Sequence, residues 1–154
     1  MEEKRFIVTC ELGRLSKWLR IIGFDVVYER GTEVYPTIIK AVRENRVIIT
    51  RNKQYAAHKG VSCFLLRGND CETQLREVIE QMKYVLDEKK MFSRCVLCNA
   101  PLERIEKEKV KGKVPAYVYK TQEVFSSCPE CERIYWEGSH WGNVKETLEK
   151  LKIL

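Results

Sequence analysis

The stretch FIVTCELGRLSKWLRIIGFDVVY, residues 6–28, changes its periodicity twice and so decides the fold. Phe6, Ile7 and Val8 form a short apolar run, the pattern of a buried strand. From Leu12 the spacing lengthens. Leu12, Leu15, Trp18, Leu19 and Ile22 recur at helical steps, which predicts an amphipathic helix, and Gly23 is a good stop for it. Asp25–Tyr28 then reads as a second strand. Strand, helix and strand in such quick succession predict a parallel βαβ unit.

The alternation continues outward. Pro36–Arg43 predicts a helix, with Pro36 in its first turn and Ile38, Ile39 and Val42 on one face. Val47–Thr50 is a β-branched run, typical of a strand covered on both sides. Lys53–Lys59 predicts a short helix, Cys63–Leu66 a strand, and Thr73–Leu86 a further helix with Leu75, Val78, Ile79, Met82 and Val85 inward. The expected fold class is therefore α/β over residues 1–88, three layers around a mainly parallel sheet. Such sheets place ligands at the C-terminal strand ends, so the residues after Val8, Ile49 and Leu66 are the ones to inspect.

Beyond a charged joint, Asp87–Lys90, the character of the chain changes. Cys95/Cys98 and Cys128/Cys131 are two Cys-x-x-Cys knuckles. Each spacing lets two thiolates reach one ion from a single tight turn, and the pair completes the closed geometry of structural zinc. Two disulfides, or a redox pair beside an unrelated one, are the competing readings. A full thiolate set leaves no open coordination position, so this zinc predicts structure and not catalysis. The second unit is expected over 91–154, a zinc ribbon with a C-terminal helix over Glu146–Leu154. The dense charges of Glu103–Lys113 read as a solvated hairpin or loop, with a phosphate-contacting arm as the alternative.

The totals narrow the classes. The chain has 154 residues, room for one domain plus a small module. A net charge of +6 is compatible with a nucleic-acid partner without requiring one. Seven cysteines with no signal-like segment predict a reducing, cytoplasmic setting. No apolar run is long enough to span a membrane. Tyr135, Trp136, His140 and Trp141 follow the last knuckle; they predict packing of the ribbon onto the α/β unit, or stacking on unpaired bases. His140 as a zinc ligand would require displacement of a cysteine.

Three stretches carry a resemblance to a known family: Phe6 to Tyr28, Arg46–Asn52, and the tail Cys128–Trp141, with Gln74–Glu77 between. The chain resembles the Mut-seven C-terminal RNase family over nearly its whole length. The resemblance implies a PIN-like α/β domain fused to a zinc ribbon, and metal-dependent ribonuclease ancestry. Such nucleases hold divalent ions with carboxylates at strand ends, where the ions activate a water and stabilise charge on the phosphate.

The sequence departs from that family where Asp usually follows the first strand and usually closes the Leu-Thr-Arg-Asp motif. Thr9 and Asn52 stand there instead. Neither is charged; Asn52 offers one neutral oxygen and Thr9 a hydroxyl. Magnesium sites lean on carboxylates, so metal binding should weaken severely. The acids left nearby are Glu11, Asp25, Asp70 and Glu77, with Asp25 matching the family's Gly-aromatic-Asp stretch. Asn52 as a plain helix cap, and Glu11 as an N-terminal charge on its helix, are competing roles. Arg14, Lys17 and Arg51 have the chemistry for RNA phosphates, and Arg20 is expected beside them at the cleft mouth. The expected function is RNA binding with weak or absent cleavage. An active Mg²⁺- or Mn²⁺-dependent ribonuclease built on Glu11, Asp25 and Asp70 is the first alternative, and a protein-interaction module the second. Three carboxylates converging on one point would favour chemistry; scattered acids around Thr9 and Asn52 would favour binding alone.

Overall fold

The computed structural model describes residues 3–153, apart from the side chains of Ser139 and His140. Four strands, β1 (Arg5–Val8), β2 (Asp25–Tyr28), β3 (Val47–Thr50) and β4 (Cys63–Leu65), form a parallel sheet in the order β2-β1-β3-β4. Helices α1 (Gly13–Ile21), α2 (Val34–Arg43), α3 (Lys53–Ala56) and α4 (Cys71–Met82) alternate with them.

The period-two geometry of a strand explains how the layers separate. Phe6, Val8, Val26 and Ile49 face one side, where they bury against Leu15 and Leu19 of α1 and Leu75 and Val78 of α4. Ile7 and Ile48 face the other side, against Ala41 of α2 and Tyr55 of α3, with Val27 and Ile38 packed on them. The three-layer α/β reading is thus realised. Gly23 ends α1 with φ +104°, and a Cβ there would lie 2.4 Å from the Lys90 carbonyl oxygen. Glycine meets both demands at once.

Several details differ from expectation. On α2 the buried positions are Thr37 and Ala41, while Ile39 and Val42 are exposed. The helix is rolled so that its smaller residues approach the sheet. On α4 the helix stops at Met82 because Lys83 turns left-handed (φ 50°), so Val85 lies out in solvent.

The C-terminal part folds around three antiparallel strands, β5 (Glu103–Ile105), β6 (Phe125–Ser127) and β7 (Ile134–Trp136). Between β5 and β6 lie α5 (Lys107–Val110) and α6 (Ala116–Thr121). The charged run is therefore more than a loop: Val110 and Val118 bury against Phe125 and fix it from below. Helix α7 (Ser139–Lys150) does not stay with the ribbon. Val144, Leu148 and Leu151 share one helical face, and they complete the core of α1 and α4. The terminal helix, expected within the second unit, thus packs on the core of the first. Among the described residues no helix is long and apolar enough to cross a membrane.

Candidate functional site

The sheet order places a topological switch point between β1 and β3, because the chain leaves β1 toward β2 and returns on the other flank. Thr9 and Thr50 stand at that point, 2% and 0% exposed. The Thr9 N–H donates to the Ile49 carbonyl at 3.2 Å, which extends the ladder to the strand end. Its Oγ1 lies 2.8 Å from Thr50 Oγ1 and 2.7 Å from Glu11 Oε1. Glu11 comes from the 3-10 turn Cys10–Leu12 that precedes α1. Its Oε1 also accepts from Thr50 Oγ1 at 3.1 Å and from the Arg51 N–H at 3.0 Å.

One carboxylate oxygen therefore takes bonds from two hydroxyls and a backbone N–H. Burial pushes the Glu11 carboxyl up, but these bonds outweigh it and hold the group below its ordinary value. Glu11 stands at the strand edge beside Thr9, and it is the acid of this network. Asn52 accepts from the Gln54 N–H at 3.0 Å, which makes it the N-cap of α3. Arg51 reaches across to Asn69 Oδ1 at 2.8 Å and ties the β3 end to the loop before α4.

Asp70, on that loop, is the N-cap of α4, with Oδ1 2.8 Å from the Thr73 N–H and Oδ2 2.7 Å from its hydroxyl. The Thr73 N–H and hydroxyl hold its carboxyl below the usual range. Glu77 receives the N–H groups of Arg67 and Gly68, both at 3.1 Å. Each acid thus holds a local turn together.

Asp25 lies elsewhere. Strand β2 runs parallel to β1 with Asp25 opposite Arg5, whereas Tyr28 is opposite Val8. At about 3.3 Å per residue, Asp25 is roughly 13 Å down the sheet from the Thr9 edge. The metal set of Glu11, Asp25 and Asp70 is therefore not brought together. Arg46 Nη1 donates to Asp25 at 2.8 Å, and Asn99 Nδ2 donates at 2.7 Å. Burial pushes the Asp25 carboxyl up, but the bonds from Arg46 and Asn99 and the charge on Arg46 hold it below its ordinary value.

Those contacts join sheet to ribbon. Asn99 Oδ1 also accepts from the Val26 N–H at 2.8 Å. Arg20, expected at the cleft mouth, is only 7% exposed. It donates to the carbonyls of Val26 at 3.0 Å, Val96 at 2.8 Å and Leu97 at 3.1 Å. Sequence spacing marked neither role, since each depends on a partner more than 70 residues away.

The cysteines converge. Ligand sulfurs of Cys95, Cys98, Cys128 and Cys131 lie within 4.8 Å of one another, and Cys95 and Cys131 are 3.7 Å apart. A tetrahedron with Zn–S bonds of about 2.3 Å has edges of about 3.8 Å, so the set fits zinc. The knuckles repeat one construction. The Cys98 N–H points at Cys95 Sγ (3.4 Å), and the Cys131 N–H points at Cys128 Sγ (3.5 Å). The next residues, Asn99 and Glu132, are left-handed and return their N–H groups to the Cys95 and Cys128 carbonyls at 2.9 Å. Tyr135 Oη sits 3.1 Å from Cys95 Sγ, an outer contact that orients the ligand. Burial raises the Cys95 thiol, yet the Tyr135 hydroxyl and the turn N–H groups bring it down to about 7. Among the described residues, this quartet is the one group of three or more potential ligands close enough to share an ion.

Arg14 and Lys17 are exposed on α1 beside the groove that runs past Tyr28, whose hydroxyl donates to the Cys10 carbonyl at 2.6 Å. Searches of curated proteins and of solved structures found no match. The family model described as the Mut7-C RNAse domain matches residues 4–148. Strand-edge site, ribbon and most of the returning helix fall within that span, and the chain belongs to the Mut7-C RNAse domain family.

Proposed function

We propose that this chain binds RNA at the C-terminal edge of its sheet and cuts it weakly or not at all. One observation carries the reading. The switch point is filled by Thr9 and Thr50, and the carboxylate between them, Glu11, spends one oxygen on three internal hydrogen bonds. A magnesium or manganese ion that activates water needs several carboxylate oxygens free to face it. The donor set here is two hydroxyls, one committed carboxylate and the capping amide of Asn52, and it does not fit such an ion. Membership in a ribonuclease family supports RNA as the partner. Arg51, Arg14 and Lys17 are exposed and are the side chains to meet phosphates.

The test is a labelled, structured RNA pool incubated with Mn²⁺ or with EDTA, with binding recorded in the same samples. Binding without cutting is the expected result. Manganese-dependent cutting that disappears in Glu11→Gln would overturn the reading in favour of an active nuclease. A chain that neither binds nor cuts would move the function to a protein partner.

A further inference from the structure

A second concavity lies beside the strand-edge site, where α1, the segment 88–97, the ribbon and the start of α7 meet. It measures about 770 Å³, within the roughly 300–1,000 Å³ span of ligand pockets. Its walls are aromatic and aliphatic. Trp136 presents its indole at 36% exposure, beside Leu97 (48%) and Val124 (55%). Trp141 stacks on Phe92 at 5.3 Å and forms the floor. The ribbon and the helices thus pack around this cleft without closing it, which leaves aromatic faces open to solvent.

The rim carries more cations than anions. Arg14, Lys17, Lys89 and Arg133 line it beside Glu88 and Glu137; Glu88 is paired with Lys145, and none of the four cations makes an ion pair among the described residues. Unpaired cations around exposed aromatic faces suit a polyanion that carries flat rings. The cleft also adjoins a second groove. Arg14, Lys17, Val96 and Leu97 border both it and the groove that passes Gly13 and Tyr28, whose hydroxyl donates to the carbonyl of Cys10 next to Glu11.

We infer that this cleft holds unpaired nucleotides of the RNA, with a base against Trp136 and the backbone on Arg14, Lys17 and Arg133. The bases enter single-stranded, because only an unstacked base offers its face to an indole. A strand seated there leads along the groove to the switch point, so the ribbon selects for single-stranded character and the α/β edge holds the adjoining phosphates. The inference rests on the RNA-binding reading and adds the substrate class.

The zinc-loaded full chain is titrated with a short single-stranded RNA, with the same RNA in duplex form, and with an abasic strand of equal length. Expected is tighter binding of the single strand than of either control. Trp136→Ala should weaken it about tenfold and leave the abasic strand unchanged, and Trp136→Phe should restore most of the loss. Because Trp136 also packs near Phe125, zinc content is measured in each variant. The surface pair Arg14→Glu/Lys17→Glu, which disturbs no packing, should weaken RNA and abasic strand alike. If the wild type binds RNA but Trp136→Ala binds it equally well, the cleft assignment falls while the strand-edge reading stands. If the wild type binds none of the strands, both fall and the cleft becomes a protein-docking surface.

Discussion

At the knuckles, two tight turns deliver four thiols within 4.8 Å of one another. At the strand edge, two parallel strands and a 3-10 turn deliver two hydroxyls and a carboxylate already engaged by its neighbours. The first has every ligand and a second layer that orients them through Tyr135. The second is a set of two hydroxyls and one carboxylate that bond to each other. The difference shows that polar groups buried at a strand edge are held by pairing with one another, because buried polar groups must be paired.

The largest effect should come from the knuckles. Structural zinc in small modules contributes apparent free energy on the order of 10 kcal/mol to folding. Cys128→Ser is therefore expected to release the metal and expose the amides of β5–β7 to hydrogen exchange, while β1 and β3 stay protected. Full zinc retention would break the four-thiolate assignment. Next comes the joint between the two regions. Asp25→Ala removes the nearer carboxylate of Arg46, whose side chain is 8% exposed, and leaves it only Glu44 at 3.8 Å. Removal of one member of a buried pair costs about 3 kcal/mol, measured by urea unfolding. A change near zero would mean that Asp25 does not hold the joint.

The comparison can also be reversed by design. Thr9→Asp with Asn52→Asp places two carboxylates at the strand edge. Beside Glu11 the new carboxylates repel, and a shared divalent ion relieves them. The variant's stability should rise with Mn²⁺, by about 2.7 kcal/mol at a hundredfold excess over its dissociation constant. The wild type should not respond, and a wild type stabilised by Mn²⁺ would contradict the neutral-site reading. Glu11→Ala leaves the hydroxyls of Thr9 and Thr50 and the Arg51 N–H short of an acceptor. A loss of about 2 kcal/mol is expected, with Glu11→Gln milder because it keeps a carbonyl oxygen.

The smallest effect is acid sensitivity. Glu11 and Asp25 both sit below their ordinary values of 4.5 and 3.8 in the fold. A depressed carboxylate contributes its stability fully above its unfolded value and loses it as pH falls through the lower folded one. Stability should thus decline below about pH 4.5, and more shallowly in Glu11→Gln and in Asp25→Asn. An equal acid slope in wild type and variants would remove both groups as the cause.

Local information explains what was readable. The knuckles were legible because Cys-x-x-Cys fixes both ligands within one turn. Strands β1 to β4 were legible because Phe6–Val8 and Val47–Thr50 declare their period within a few residues. The place of Glu11 just past β1 put it at the strand edge, where it bonds Thr9 and Thr50. Asp25 misled as a site residue. Its neighbourhood in sequence matched a family motif, but the register Arg5 to Asp25 sets it at the far end of the sheet. Helix α7 misled as well, because an amphipathic helix does not name the surface it will cover.

By itself, then, the sequence determined the alternation of strand and helix, the four cysteines of one possible metal site, and the uncharged side chains of Thr9 and Asn52. Those properties live in the identity and spacing of near neighbours. The tertiary structure alone decided that Arg20 and Asn99 lock ribbon to sheet, that Thr9, Thr50 and Glu11 close on one another, and that an aromatic cleft stays open beside them. Those outcomes depend on which distant strand pairs with which, and strand order is set by burial summed over the whole core.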